Sequence, residues 1–64
     1  MIVFDDKKVT IQSFKKILKV DDQEIVFIDK NKTISIIGNN LNISYFDYDE
    51  FIVLGIIEKV EFSK

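Results

Sequence analysis

Acidic residues form the densest groups of side chains that could do chemistry. The groups are Asp5 with Asp6, then Asp21, Asp22 and Glu24, and finally Asp47, Asp49 and Glu50. Carboxylates bind hard cations such as calcium, but these groups lack the glycine and the ligand spacing of a calcium loop. Acid–base catalysis by paired carboxylates would need a cleft and one raised pKa, and the sequence indicates neither. We therefore predict solvated charged turns, with no metal ligand and no catalytic residue.

Aromatic residues form a second group. Tyr45, Phe46, Tyr48 and Phe51 lie within one short stretch and could stack on the ring of a small ligand or glycan. Stacking platforms usually have basic neighbours, whereas the neighbours here are acidic. Core packing and a contact at a hairpin end are therefore favoured, and the binding module remains the alternative.

The residue types that are missing exclude several functions. The chain has no cysteine, histidine or arginine. It therefore lacks a thiolate, the usual general base and the commonest metal ligand, and the guanidinium fork that phosphate recognition favours. The net charge is −2 and the nine lysines are scattered, which argues against a nucleic-acid partner. We expect no enzyme activity and no cofactor.

The length and composition predict one small all-β domain. Sixty-four residues make a single domain, residues 1–64, which buries only about 60% of the surface that its unfolded chain exposes. Twelve isoleucines and no alanine favour strands over helices. No apolar run approaches the roughly 20 residues of a membrane span, and the start does not read as a signal peptide. We expect a soluble intracellular domain.

An alternating stretch, residues 33–44, stands at the centre of the predicted fold. Its apolar positions are Ile34, Ile36, Leu41 and Ile43. A period of two is typical of strands, because successive side chains leave a strand on opposite faces. Gly38, Asn39 and Asn40 lie between the two runs and tolerate the positive φ of a tight turn. The pattern predicts a β-hairpin that turns at these three residues.

Short polar turns separate the other apolar runs. This spacing predicts an antiparallel meander of about six short strands, twisted or rolled toward a barrel or sandwich. Residues 13–20 are ambiguous, because Phe14, Ile17 and Leu18 have helical spacing, but a strand with a bulge near Lys16 and Ile17 is favoured. Gly55 interrupts the longest apolar run and predicts a bulge or bend.

Both faces of the predicted sheet carry apolar residues. Val9 and Ile11 should point inward, and the main core is predicted to be Ile34, Ile36, Leu41, Ile43, Val53, Ile57, Val60 and Phe62. The second face is predicted to be Val26, Ile28, Ile52, Leu54 and Ile56. So short a chain can hardly cover both faces, and the second one is expected to be an interaction face in a homo-oligomer or against a partner.

Spaced apolar residues and glycines recur in a fixed order along the chain. The patterns are Val9-x-Ile11-x-x-Phe14-x-x-Ile17-Leu18, Ile34-x-Ile36-x-Gly38-x-x-Leu41-x-Ile43 and Val53-x-Gly55-x-Ile57-x-x-Val60-x-Phe62. This ordered set resembles the YabP/YqfC family of sporulation proteins. Together with residues 1–8, the resemblance covers most of the chain.

The resemblance implies a small non-catalytic protein needed during endospore formation. It implies a place in the mother cell, in the cytoplasm or at the periphery of a membrane. Family members are often encoded beside a membrane protein, which implies a membrane-protein partner. We therefore expect an assembly or scaffolding protein that acts through the second apolar face. A small-ligand or glycan binding module near Tyr45 and Phe51 remains the alternative.

Overall fold

The computed structural model describes residues 2–5 and 7–63, and over these residues the chain forms one antiparallel sheet of six strands. The strands are β1 (Ile2–Phe4), β2 (Lys8–Gln12), β3 (Lys16–Val20), β4 (Glu24–Asp29), β5 (Lys32–Phe46) and β6 (Glu50–Ser63). Their order across the sheet is β1-β2-β6-β5-β4-β3. The predicted all-β antiparallel class is confirmed. Among the described residues no helix is long and apolar enough to cross a membrane.

The predicted hairpin at residues 33–44 is wrong, because β5 runs through this stretch as one strand. The register between β5 and β6 shifts between Asn39 and Asn42, and Asn40 has a φ of 55°. Extra residues with positive φ are typical of β-bulges, which bend a strand without ending it. Gly38, Asn39 and Asn40 therefore lie in a bulged bend, and the chain reverses elsewhere, at Lys30 and Asn31 and around residues 47–49.

The bend folds the sheet back on itself. A straight strand of 15 residues would be about 50 Å long, yet the longest extent of the Cα trace is 26 Å. Across the sheet, Phe27 on β4 pairs with Ile34 on β5, and Ile34 pairs with Phe62 on β6. Phe51 lies eleven residues earlier on β6, but its ring centroid is only 5.3 Å from that of Phe27. The two ends of the long strands therefore belong to two layers that face each other.

Both glycines lie where β5 and β6 cross at the bend. A Cβ on Gly38 would collide with the carbonyl oxygen of Ile56, and one on Gly55 would lie 2.6 Å from the carbonyl oxygen of Asn40. Gly55 also has a φ of 132°, which side chains rarely allow. The close approach of the two backbones therefore depends on glycine at both positions.

The core fills the space between the two layers. It consists of Val9, Ile11, Ile25, Phe27, Ile34, Ile36, Leu41, Phe51 and Val53. Of the predicted core residues, Ile43, Ile57 and Val60 are only partly buried against it. Phe62 was predicted to be buried but is 59% exposed. It points to the inner face, as its parity predicts, but it lies near the end of β6, beyond the part of the strand that the other layer covers.

Residues 13–20 form a bend followed by a strand. Ser13 has a φ of 63°, and β3 begins at Lys16. The register between β3 and β4 shifts between Ile17 and Lys19, which places the bulge at Leu18, one residue after the predicted position. The preference for a bulged strand over a helix is therefore confirmed from Lys16 onward.

Candidate functional site

The five residues predicted to form one interaction face lie in two groups. Val26 and Ile28 lie on β4, opposite the first half of β5. Ile52, Leu54 and Ile56 lie on β6, opposite the second half of β5. Because β5 bends between its halves, the groups belong to different layers of the folded sheet. The β6 group is the larger and more exposed one, since Ile56 is 61% exposed.

Two further apolar side chains extend the β6 group across the strands. Val3 on β1 aligns through Thr10 with Ile52, and Ile52 pairs with Tyr45 on β5. Both Val3 and Tyr45 are exposed. We call the set consisting of Val3, Tyr45, Ile52, Leu54 and Ile56 the outer patch. A group of partly or fully exposed apolar side chains on one face of a sheet commonly marks a contact surface for another macromolecule.

An open groove of about 690 Å³ lies at one end of the outer patch. Its lining residues are Lys7, Leu54, Gly55, Ile56 and Ile57. The groove forms because β2 pairs with β6 only as far as Leu54, while β6 continues past it. Among the described lining residues, the side chains are apolar apart from that of Lys7, so the groove suits an apolar side chain of another molecule better than a charged ligand.

The aromatic residues do not form one stacking platform. Phe51 is fully buried, with its ring edge-on to that of Phe27. Phe46 lies on the same face of the sheet, Tyr45 lies on the opposite face, and Tyr48 projects from a turn and is 92% exposed. The contacts of Phe51 therefore support a role in core packing, whereas Tyr45 belongs to the outer patch.

The acidic group at residues 47–50 organises a turn. One oxygen of Asp47, Oδ1, accepts hydrogen bonds from the backbone N–H groups of Asp49 and Glu50, both at 2.9 Å. Its other oxygen, Oδ2, accepts a hydrogen bond from the Tyr45 hydroxyl group, with 2.8 Å between the two oxygens. The hydrogen bond from the Asp49 backbone, followed by that from Tyr45, lowers the pKa of Asp47. The same contact with Asp47 raises the pKa of Tyr45.

The group at residues 21–24 is built in the same way. Asp21 accepts backbone hydrogen bonds from Gln23 at 2.8 Å and from Glu24 at 2.7 Å, and these lower its pKa. The Lys19 ammonium lies 2.9 Å from Glu24, and this hydrogen bond raises the pKa of Lys19. Over the described ranges, no group of three or more acidic, histidine or cysteine side chains could hold a metal ion. In the first acidic group, the backbone N–H of Asp5 donates to the Lys8 carbonyl, and Asp6 lies outside the described residues.

Sequence reasoning missed three contributors to this surface. Val3 and Tyr45 join the outer patch through strand register, and Lys7 joins the groove because β2 begins only at Lys8. Alternation along one strand reveals which face a residue takes, but not which residues of other strands lie beside it.

Comparison with models of protein families finds a match. A family model described as the YabP family matches residues 1–64, the whole chain. No curated protein and no solved structure matches the chain.

Proposed function

This chain belongs to the YabP family, whose name points to sporulation, and from that premise we propose that it is a non-catalytic assembly protein. It associates with further copies of itself through the outer patch. It acts in the mother cell, where a membrane-protein partner recruits it. The observation that carries this proposal is the outer patch with its adjoining groove, where apolar side chains from three strands lie on one face of the sheet.

A role without catalysis is supported by where the ionisable groups lie. The described part of the chain has no buried polar or charged side chain. Among the described residues, the groups with shifted pKa values are Lys19, Asp21, Tyr45 and Asp47, and each shift has its cause in a turn hydrogen bond or an exposed ion pair. Catalytic groups typically have pKa values that are shifted by burial or by charges inside a cleft.

Association through the outer patch is supported by the energetics of apolar burial. Burial is worth about 25 cal/mol per Å², so covering a few hundred Å² supplies several kcal/mol. Part of this is lost to the entropy of association, and moderate affinity is therefore expected. The groove makes one end of the patch concave, so a side chain of the partner can pack into it.

The decisive experiment replaces Leu54 with lysine. Leu54 points to the outer face and pairs with Lys8, so the new ammonium would lie beside an existing one in the middle of the patch. We expect wild-type protein to self-associate as concentration rises, and Leu54→Lys to lower the average mass of the assembly while keeping the β-sheet circular dichroism. Sedimentation equilibrium and light scattering measure the change.

A matched control makes the same charge change outside the patch. Tyr48→Lys adds a lysine at a turn residue that is almost fully exposed, and it should leave association unchanged. A wild-type chain that stays monomeric at millimolar concentration would contradict the proposal, as would equal effects of the two substitutions.

A further inference from the structure

The second half of β6 forms an open edge of the sheet. β2 pairs with β6 only over the stretch from Glu50 to Leu54. Beyond it, residues 56–63 have β5 on one side, and within the described part of the chain no strand pairs with them on the other. An open edge leaves alternate backbone N–H and C=O groups free to pair with another strand.

The other edges of the sheet carry features that discourage pairing. β1 has only three residues. β3 carries Lys16 and Lys19 on either side of its bulge at Leu18. In the second half of β5, Gly38 and Leu41 already donate backbone hydrogen bonds to the turn before β4. Short length, lysines and bulges are the usual protection of edge strands.

The end of β6 carries Lys59, but this lysine forms an ion pair with Glu61 at 3.5 Å on the same face of the strand. From Lys59 to Ser63 its pairing with β5 is regular, and the bulge at Glu58 lies before this segment. Lys59 and Glu61 point to the outer face, whereas Val60 packs partly against the core and Phe62 points to the same inner face. The segment can therefore accept a further strand without a change in its own conformation.

Its charges define one pairing with a second copy. When two identical strands pair antiparallel with their inner faces on the same side, the two-fold axis passes through a residue. An axis at Lys59 or at Glu61 would place like charges directly opposite each other. An axis at Val60 places Lys59 of each copy opposite Glu61 of the other, and opposite charges stabilise a cross-strand pair.

We propose that two copies of this chain pair antiparallel through residues 59–61 of β6, with Val60 on the two-fold axis. The two sheets then continue into one another. The pairing also gives the exposed ring of Phe62 a neighbour, because Phe62 of each copy lies diagonal to Val60 of the other, within reach of an aromatic side chain. This contact uses a different surface from the outer patch and does not depend on it.

Charge reversal tests the pairing in a Leu54→Lys background, in which the outer patch is blocked. Lys59→Glu places two glutamates opposite two glutamates, and Glu61→Lys places lysines opposite lysines. Each should raise the dimer dissociation constant about tenfold or more. Within one chain, Lys59 and Glu61 form an exposed ion pair at 3.5 Å, which contributes little to folding, so both variants should melt close to their parent.

Two restorations make the test specific. The double variant with Lys59→Glu and Glu61→Lys recovers opposite charges and should dimerise like its parent. An equimolar mixture of the two single variants should form heterodimers, since one chain then supplies only acidic and the other only basic side chains. Sedimentation equilibrium measures the masses, and native mass spectrometry identifies the heterodimer.

A cysteine probe tests the register separately. The chain has no cysteine, so Val60→Cys introduces the only thiol. Directly opposite residues of antiparallel strands have Cα atoms about 4.5–5.5 Å apart, which suits a disulfide. We expect Val60→Cys to oxidise to a covalent dimer faster than Ser44→Cys, which places a thiol on the exposed part of β5.

Each outcome has a defined meaning. A Leu54→Lys chain that is already monomeric at millimolar concentration overturns the edge pairing. So does a dimer that survives Lys59→Glu, or a mixture that stays monomeric. If Leu54→Lys changes nothing while the charge reversals behave as expected, the outer patch is not an association surface and the edge pairing stands.

Discussion

Gly55→Ala tests whether the bend in the two long strands depends on glycine. The substitution adds one methyl group at a position with a φ of 132°, and that methyl group would lie 2.6 Å from the carbonyl oxygen of Asn40. The next nearest atoms belong to the backbone of Asn40 and Leu41, so no side-chain rotation relieves the collision. The backbones of β5 and β6 must move apart at the bend.

The expected loss of stability is large for so small a domain. A side chain forced into this region of φ costs roughly 1–3 kcal/mol before any collision is counted. A domain of 64 residues is typically stable by roughly 3–10 kcal/mol in total. Each kcal/mol lowers the melting temperature of a domain this small by roughly 4–8 °C. We therefore expect Gly55→Ala to melt roughly 4–24 °C below wild type, which is the conformational cost multiplied by the fall in melting temperature per kcal/mol.

Thermal and urea unfolding followed by circular dichroism measure this loss. Ser44→Ala serves as the control, since Ser44 is an exposed residue of the same bent region of the sheet. Measurements at low protein concentration keep association from adding to the stability. A Gly55→Ala chain that melts within 2 °C of wild type, with the same spectrum, would show that the strands do not need glycine to cross.

Two further predictions concern the core and the turns. Ile36→Ala, at a position 1% exposed, should lower the free energy of unfolding in urea by about 2–5 kcal/mol, whereas Phe62→Ala should lower it by less than about 1 kcal/mol; equal effects would contradict the assigned core. Below pH 5, acid should destabilise Asp47→Asn less than wild type. The carboxyl of Asp47 has a pKa near 3.8 in the unfolded chain and a lower pKa in the folded one, so the unfolded chain takes up the proton first. The stabilisation by this turn therefore fades as the pH falls through the folded pKa. Parallel pH–stability curves for the two chains would argue against a stabilising carboxylate in the turn.

Most of the individual strands could be read from the sequence. Alternation assigned Val9 and Ile11 to the inside, and it assigned Ile52 and Leu54 to the other face of β6. These predictions rest on the two-residue period of a strand, which holds whatever the strand pairs with. The acidic turns were also readable, because Asp accepts hydrogen bonds from the backbone two and three residues ahead.

The central hairpin could not be read correctly, because Gly38, Asn39 and Asn40 suit a turn and a bulged strand equally well. One signal did favour the strand. The apolar run that becomes β6 continues past Gly55 without a turn, and so long a strand needs a partner of similar length. Local propensity at three residues carries no information about the length of the partner strand.

The two layers could not be predicted from alternation at all. Val26 and Ile52 share an outward parity, but the bend in β5 separates the parts of the sheet that hold them. For the same reason Phe62 has the parity of a core residue and yet remains exposed. Parity is local, whereas burial depends on which part of the chain folds back over a residue.

Each long strand is an interior strand over one half and an edge strand over the other. β5 lies between β4 and β6 up to Ile37, and β6 lies between β2 and β5 up to Leu54. Amide hydrogen exchange should therefore be slower in the first half of each long strand than in the second, with the boundaries at Gly38 in β5 and Gly55 in β6. Because both layers share these two strands, neither layer can open fully without the other. The slowest amides of the two layers should then exchange with the same free energy, that of unfolding the whole domain.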